Sequence, residues 1–475
     1  MKKLKILLVA NQRTLLGFNR LAKIPNLGLN SIAGNLNKEI CEVKIIDLVI
    51  AKNPDKSFAD TLNSIKPDIV GFSSMIFQES VVFNYAKVTK EFNNQIITVI
   101  GGYHPTVISD EFFDRKGSEY FDYIVRGEGE IAFNMLVEAI YFNKNLSDVN
   151  NISYREGEKI VHNQIGKPID LSTLKLPDRK ARVLTKGFQV MGMQADVIET
   201  SRGCTYDCNF CSITLMYSKS FRRFSIERII TDIKDAKNNG AKILFFVDDN
   251  ITLDSKRFAE ICKAIIKEKL NLRFGLQASI KGLSNNTELL DLMKDVGVET
   301  VFLGIENNTQ EGIEYLHKGN QLKVDQTEIV VSQLKERNIS VIGGLILGLP
   351  HDNKESLKAT YNYALRIGID LPIFFVLTPY PKTVLRAELI KENLITNLFD
   401  YDKYNCWDVN IKTRHLSTDE LTKIKNKLEY KYVFDSGNIW YFIKRYPKYI
   451  FKMIIEQLIH YPNISLRFLL AKFSN

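Results

Sequence analysis

The sequence is poor in the features that would place a chain across a membrane, outside the cell or on a nucleic acid. No uninterrupted apolar stretch approaches the roughly 20 residues that a bilayer-spanning helix needs. The opening segment, Met1-Lys2-Lys3-Leu4-Lys5-Ile6-Leu7-Leu8-Val9-Ala10, couples positive charge to apolar residues, but the run stops at Asn11-Gln12-Arg13. That is too short for a signal peptide and reads as a first strand. Cysteine is scarce: six in 475 residues, three of them within eight positions. This excludes a disulfide framework and points to reduced thiols with a metal role. Charge of one sign is scarce too, since the formal net charge is only +9 and Lys and Arg are interspersed with Asp and Glu. A dedicated nucleic-acid binder is therefore not expected. These absences together predict a cytoplasmic protein.

What the chain does have is core-forming material, with 45% hydrophobic and 25% charged residues. Its length exceeds what one core serves and suits two domains plus an appendage. Residues 1–140 alternate strand-like and amphipathic segments: Lys5 to Ala10, Gly28 to Asn37, Val43 to Leu48, Asp68 to Ser73, Val81 to Phe92, Ile96 to Gly101, then Tyr123 to Val125 and a helix after Gly129. This rhythm predicts a doubly wound parallel sheet covered by helices. Ligands of such sheets sit at the carboxyl ends of the strands. Three loops fall there: Gly71-Phe72-Ser73-Ser74, Gly101-Gly102-Tyr103-His104-Pro105 and Arg126-Gly127-Glu128-Gly129-Glu130.

Residues 141–190 lose the rhythm, with a hairpin expected around Glu156-Gly157, and are read as an inter-domain linker. Residues 191–400 resume it with six strand candidates: Val197 to Thr200, Ile243 to Val247, Leu272 to Ala278, Thr300 to Ile305, Ile339 to Leu347 and Ile373 to Leu377. Six βα units, two short of a closed barrel of eight, predict a partial barrel. Residues 401–475 are read as a helical extension, beginning with the capping-box spacing Ser417-Thr418-Asp419-Glu420. From Ser436 to Asn475, nine aromatics and six Lys or Arg stand against one acidic residue, Glu456. Such a stretch suits either a peripheral contact with the inner face of a membrane or helices packed over the barrel.

Chemistry concentrates in Thr200-Ser201-Arg202-Gly203-Cys204-Thr205-Tyr206-Asp207-Cys208-Asn209-Phe210-Cys211, directly after the first strand of the second domain. Thiolates spaced C-x3-C-x2-C can hold three corners of an iron-sulfur cubane and leave the fourth open. A zinc site would need a fourth ligand, and none of the six histidines lies near the loop. Chance core cysteines are not expected in so polar a loop. The other strand ends add Asp248-Asp249-Asn250, Gln277-Ala278-Ser279, Gly304-Ile305-Glu306-Asn307 and Gly344 to Pro350 on the same rim. For Asp248, Asp249 and Glu306 the competing reading is helix capping or surface solvation.

In motif and placement this segment resembles the radical S-adenosylmethionine (SAM) superfamily. The resemblance implies a 4Fe-4S cluster on Cys204, Cys208 and Cys211 whose open iron is chelated by SAM. One-electron reduction, by a flavodoxin or ferredoxin, would then cleave SAM to methionine and a 5'-deoxyadenosyl radical. It places Phe210 close to SAM, Glu306 at its amino group or ribose and the Gly344 to Gly348 strand, with Ile346, beside the adenine. Asp249, Gln277, Ser279 and Gly304 are the remaining SAM candidates. After Pro350 the chain runs His351-Asp352-Asn353-Lys354-Glu355 and departs from the family pattern, so no role is carried to that loop.

The N-terminal half is similar to the cobalamin-binding domain of one radical SAM subgroup, which includes methylases and anaerobic cyclases. The residues carrying this are Leu27, Gly28, Ser73, Ser74, Gly101, Gly102, His104, Gly127 and Glu128. Glycines required only for tight turns would explain each loop separately. The Asp-x-His-x-x-Gly cobalt-ligating motif is absent, so cobalamin is expected without a histidine ligand. The whole predicts an enzyme that methylates or cyclises an unactivated carbon of a small-molecule or lipid substrate, with an isoprenoid lipid or a tetrapyrrole as the guess. A cobalamin-independent radical SAM cyclase or dehydrogenase, and a non-catalytic iron-sulfur or zinc protein, stay open as alternatives.

Overall fold

The computed structural model describes residues 2–13, 22–319, 322–435 and 447. The basic aromatic stretch from Ser436 to Asn475, and with it the expected membrane contact, lies outside the described residues apart from Pro447. Among those described, no helix is long and apolar enough to cross a membrane.

The first sheet contains β1 (Leu4–Ala10), β3 (Cys41–Asp47), β4 (Ile69–Ser73), β5 (Ile97–Gly101) and β6 (Tyr123–Val125), in the spatial order β3-β1-β4-β5-β6. All these pairings are parallel. β1 is buried on both faces, with Leu7 and Val9 in one core layer and Ile6 and Leu8 in the other. That is why it reads as a continuous apolar run rather than an alternating one. The strand order reverses direction between β1 and β4, where a crevice opens at the carboxyl ends.

The hairpin, β7 (Ile152–Glu156) and β8 (Lys159–His162), does not stand as a connection. It extends the first sheet beyond β6 as two antiparallel strands. Ile152 and Tyr154 are buried in the first domain's core, so this apolar face has a sheet to join and does not remain in a linker. The rest of the 141–190 segment is stitched to both halves. A two-residue strand, β2 (Ala22–Lys23), pairs with β9 (Gln189–Val190), and β9 pairs with β10 (Met193–Ile198).

The second sheet continues from β10 through β13 (Ile243–Phe246), β14 (Arg273–Ala278), β15 (Val298–Glu306), β16 (Ser340–Leu347) and β17 (Leu371–Val376), all parallel and in chain order. β17 does not pair with β10, so the barrel stays open. Alternation sends Leu244, Leu276, Leu303, Leu345 and Phe374 into the core beneath the helices. Their neighbours Phe245, Gln277, Phe302, Gly344 and Phe375 therefore face the concave side. A short ribbon, β11 (Ser201–Arg202) with β12 (Arg222–Arg223), brackets the cysteine loop. After the barrel, the helix Thr418–Asp435 starts where expected: Ser417 Oγ accepts from the Glu420 N–H while the Glu420 carboxylate accepts from Ser417 N–H.

Candidate active site

The cysteine loop leaves the carboxyl end of β10 and is fixed on both sides. Asp248, wholly buried at the end of β13, accepts from the Thr200 N–H and the Thr200 and Ser201 hydroxyls. Asp249 accepts from the Gly203 N–H at 3.0 Å. Asp248 is thus the clamp that aims the loop, and neither aspartate is a helix cap or a solvated surface group. On the far side, Asn209 N–H donates to Leu316 O and its amide to Tyr315 O, while Leu385 N–H donates to Asn209 O.

All three thiols are half-buried and free of disulfides. Burial pushes Cys208 up to about 12 and Cys211 to about 11, against the pull of the Lys318 ammonium. Burial raises Cys204 as well. Among the described residues, no three His, Cys, Asp or Glu side chains converge as a single metal ion requires. A cubane spreads three thiolates over three irons and deprotonates them on binding. The donor set fits the cluster.

Glu306 ends β15 in the left-handed region, at φ 62°, where the ladder to β16 slips by one residue. Its carboxylate pairs with Lys318, a half-buried cation whose ammonium lies 6.0 Å from the Phe210 ring centre and is held charged, against its desolvation, by Glu306 and the neighbouring thiols. A Cβ on Gly304 would fall 2.5 Å from Glu306 Oε1 and 3.1 Å from Lys318 Nζ. Glycine thus leaves room for the pair, whose side-chain ends a Cβ would displace. Gln277 is half-buried on the concave face, and Ile346 is buried on β16. Ser279 accepts from Gly282 N–H as a helix cap and meets Thr252 Oγ1; it is committed to the turn after β14. In the loop after Pro350, Asp352 accepts from the Gly348 and Leu349 N–H groups, and Asn353 caps the next helix.

The crevice of the first sheet faces this loop across a cleft enclosing about 1140 Å³ of space, solvent-open part included. Leu27, Gly28, Ser73, Gly101, Gly102, Gly127 and Glu128 line it from the first domain, and Glu199, Arg202, Met216, Tyr217, Val247 and Asp249 from the second. The glycines are not all turn requirements. Gly102, at φ 99°, is forced, since a Cβ would lie 2.8 Å from Ser74 O. At Gly28 and Gly101, a Cβ would meet no protein atom closer than 3.4 Å. What a side chain there would fill is the cleft itself, so these positions fit a ligand seated against backbone, as a corrin or its tail would be.

Two candidates do not line the cleft. His104 is fully buried, with Nε2 2.8 Å from Glu79 Oε2, packed against Phe83, Phe112 and Tyr401. Its helical turn directs the ring inward, where Glu79 takes its hydrogen bond. Ser74 is also buried, its hydroxyl donating to Met75 O and its backbone knitting the Gly101–His104 turn.

Sequence reasoning missed Tyr103, Glu199, Arg202, Tyr217 and Lys318 as site residues. Tyr103 and Tyr217 form an edge-to-face pair at 6.3 Å, and burial raises both phenols. Burial pushes Glu199 up to about 7 despite Arg202, and Asp249 to about 6. Tyr103 and Arg202 stood inside the quoted motifs, where only their glycine and cysteine neighbours drew notice. Lys318 carried no local signal.

Comparison with known proteins agrees with this geometry. Residues 198–364 match the Radical SAM superfamily and residues 13–137 the B12 binding domain. An uncharacterized methyltransferase, PH0819, of Pyrococcus horikoshii is 31% identical, over 85% of this chain and 86% of its own length. The anaerobic magnesium-protoporphyrin IX monomethyl ester cyclase of Rubrivivax gelatinosus is 26% identical, over 77% of this chain and 65% of its own. Among solved structures, the radical S-adenosylmethionine methyltransferase TsrM from Kitasatospora setae, with cobalamin and a [4Fe-4S] cluster, superposes with a TM-score of 0.67 at 16% identity, over 82% of this chain and 75% of its own. With a B12-binding domain ahead of a partial barrel that carries three cysteines on its first loop, the chain belongs to the radical SAM superfamily, in the group of cobalamin-dependent methylases and cyclases.

Proposed function

We propose that this enzyme transfers a methyl group to an unactivated carbon of an apolar substrate held on the concave face of the barrel. The observation that carries the substrate class is the lining of that face. Phe302 and Phe375 lie with ring centres 6.3 Å apart, and Trp407 stands edge-on to Phe375 at 5.3 Å. A Cβ on Gly344 would come within 2.9 Å of Phe302 and 3.2 Å of Phe375, and one on Gly275 within 2.6 Å of Phe245. Glycine on the strands thus makes room for aromatic walls, which suit an isoprenoid chain or a flat tetrapyrrole.

In this reading Cys204, Cys208 and Cys211 hold the cluster, and Phe210, Asp249, Gln277, Gly304, Glu306 and Ile346 surround SAM. The cleft residues Leu27, Gly28, Ser73, Gly101, Gly102, Gly127 and Glu128 hold cobalamin. When bound, these groups supply a radical that abstracts hydrogen and a methyl group to transfer. The chain's own contribution is charge and shelter. Lys318 offsets the negative thiolates, Glu306 accepts from a cationic amine, and the aromatic walls exclude water. A flavodoxin or ferredoxin in the cytoplasm would provide the electron. Cyclisation is the second reading, favoured by the likeness to the R. gelatinosus enzyme.

The test is anaerobic reconstitution with iron, sulfide and cobalamin, followed by SAM and dithionite. The wild-type chain should bind corrinoid and yield 5'-deoxyadenosine, and Cys208→Ala should lose the cluster's absorption and the product together. A chain that holds only zinc and never cleaves SAM refutes the proposal. Lipid and pigment profiling of a deletion strain then separates methylation, seen as a product mass lower by one CH2, from ring closure.

A further inference from the structure

Arg202 and Arg222 are cross-strand partners on the ribbon that brackets the cysteine loop. Both leave the barrel and close on one carboxylate of the first domain. Arg202 Nη1 lies 2.8 Å from Glu128 Oε1, and Arg222 Nη1 lies 2.7 Å from Glu128 Oε2. Arg202 also places Nη2 2.6 Å from Glu130 and Nε 3.0 Å from Glu199. Glu130 in turn accepts from the Ser31 hydroxyl. Arg202, Glu128 and Glu130 are all buried. Removing so many charges from water is costly, and domains need only apolar contact to adhere. A planar guanidinium gripping carboxylates from two domains fixes geometry instead.

The clasp sits between the two cofactor sites. On one side a single residue, Gly203, separates Arg202 from Cys204. Gly203 has no slack: its N–H is held by Asp249, its φ is 86°, and a Cβ would lie 2.3 Å from Ser220 O. This one-residue tether is the route by which a displacement of Cys204 would reach Arg202. On the other side, Glu128 and Glu130 flank Gly129 in the cleft wall, and Gly127 N–H is tied to Thr106 Oγ1.

We propose that this two-arginine clasp on Glu128 makes cluster loading and corrin binding interdependent, with Arg202 as a positioning residue that sets the cleft wall when the cysteines take iron. The proposal rests on the reading of the cleft as the corrin site. Other bridges between the halves, such as Arg182 to Asp196 and Asn30, make no contact with the cysteine loop itself.

The experiment is a titration of the full-length chain with hydroxocobalamin, followed by absorption under anaerobic conditions, before and after reconstitution of the cluster. The cluster-loaded wild type binds more tightly, by a factor in the usual range for coupled sites of about 5 to 150. In Arg202→Lys, which keeps the charge but cannot span three carboxylates, that factor collapses toward one. Glu128→Gln, a milder change, reads the same way if Arg202→Lys does not fold. Arg182→Lys, also an inter-domain bridge, retains the factor, which a merely structural role for Arg202 would not predict. Equal affinity of the two wild-type forms overturns the coupling alone, as does a factor unchanged in Arg202→Lys and Glu128→Gln. Failure of both wild-type forms to bind the corrinoid overturns the cleft reading and the coupling with it.

Discussion

At the scale of single residues, the site is an arrangement of buried charges that proximity has retuned. Glu199 lies on the cleft within reach of Arg202, yet burial, with Glu130 and Asp248 nearby, raises it from 4.5 to about 7. Arg228 and Tyr217 also face it. A carboxyl whose folded value is raised favours the fold as an acid. Its stabilising effect is complete below about 4.5 and is lost as pH climbs to about 7. Glutamine cannot ionise. The thermal midpoint of Glu199→Gln should therefore gain on wild type between pH 5 and pH 8. Midpoints that run parallel across that range would contradict the shift. Lys318 shows the converse case: a half-buried cation kept charged by Glu306 and the thiols.

At the scale of elements, the cysteine loop depends on one glycine. The backbone of Gly203 at φ 86° is strained for any L side chain, and Ser220 O already occupies the place of a Cβ. Gly203→Ala should force β11 and β12 apart and lower iron per chain severalfold after reconstitution, with the far-UV circular dichroism of the barrel retained. Full iron content in that variant would show that the loop has more freedom than the packing implies. The bulge of β15 at Glu306 is a comparable device. There the register slips against β16, and the Glu306 carboxylate, on the same face as Gly304, pairs with Lys318.

At the scale of the whole molecule, the halves are joined by buried ion pairs in the segment between them. Arg179 places Nη1 2.6 Å from Asp232 and 2.9 Å from Asp235, with Nε 3.2 Å from Asp196. Gly34 of the first domain admits Leu176 of this segment, since a Cβ would lie 2.1 Å from Leu176 O. Arg179→Met would leave Asp196 and Asp232 buried without that cation. A loss of about 3–5 kcal/mol is expected from breaking such a pair, read as a lower denaturant midpoint. A change within 1 kcal/mol would mean that Arg182 and Arg228 compensate.

Much of this was legible in the order of residues. The βα rhythm placed all six barrel strands, because buried parallel strands are continuous apolar runs whatever surrounds them. The cysteine spacing marked the loop proposed to carry the cluster, because three thiols within eight positions can reach three corners of one cubane. His104 was misplaced because a motif fixes a residue's position along a loop and not the side to which its ring turns. The 152–162 hairpin was read as a linker because nothing local shows which sheet edge will take it. Lys318 and Arg202 gain their meaning from partners 12 and 74 positions away, Glu306 and Glu128. Sequence by itself determined the elements and singled out the three clustered thiols, since both rest on local periodicity and spacing. Only the tertiary structure decided which charges meet in the cleft, because burial and pairing across two domains are properties of packing.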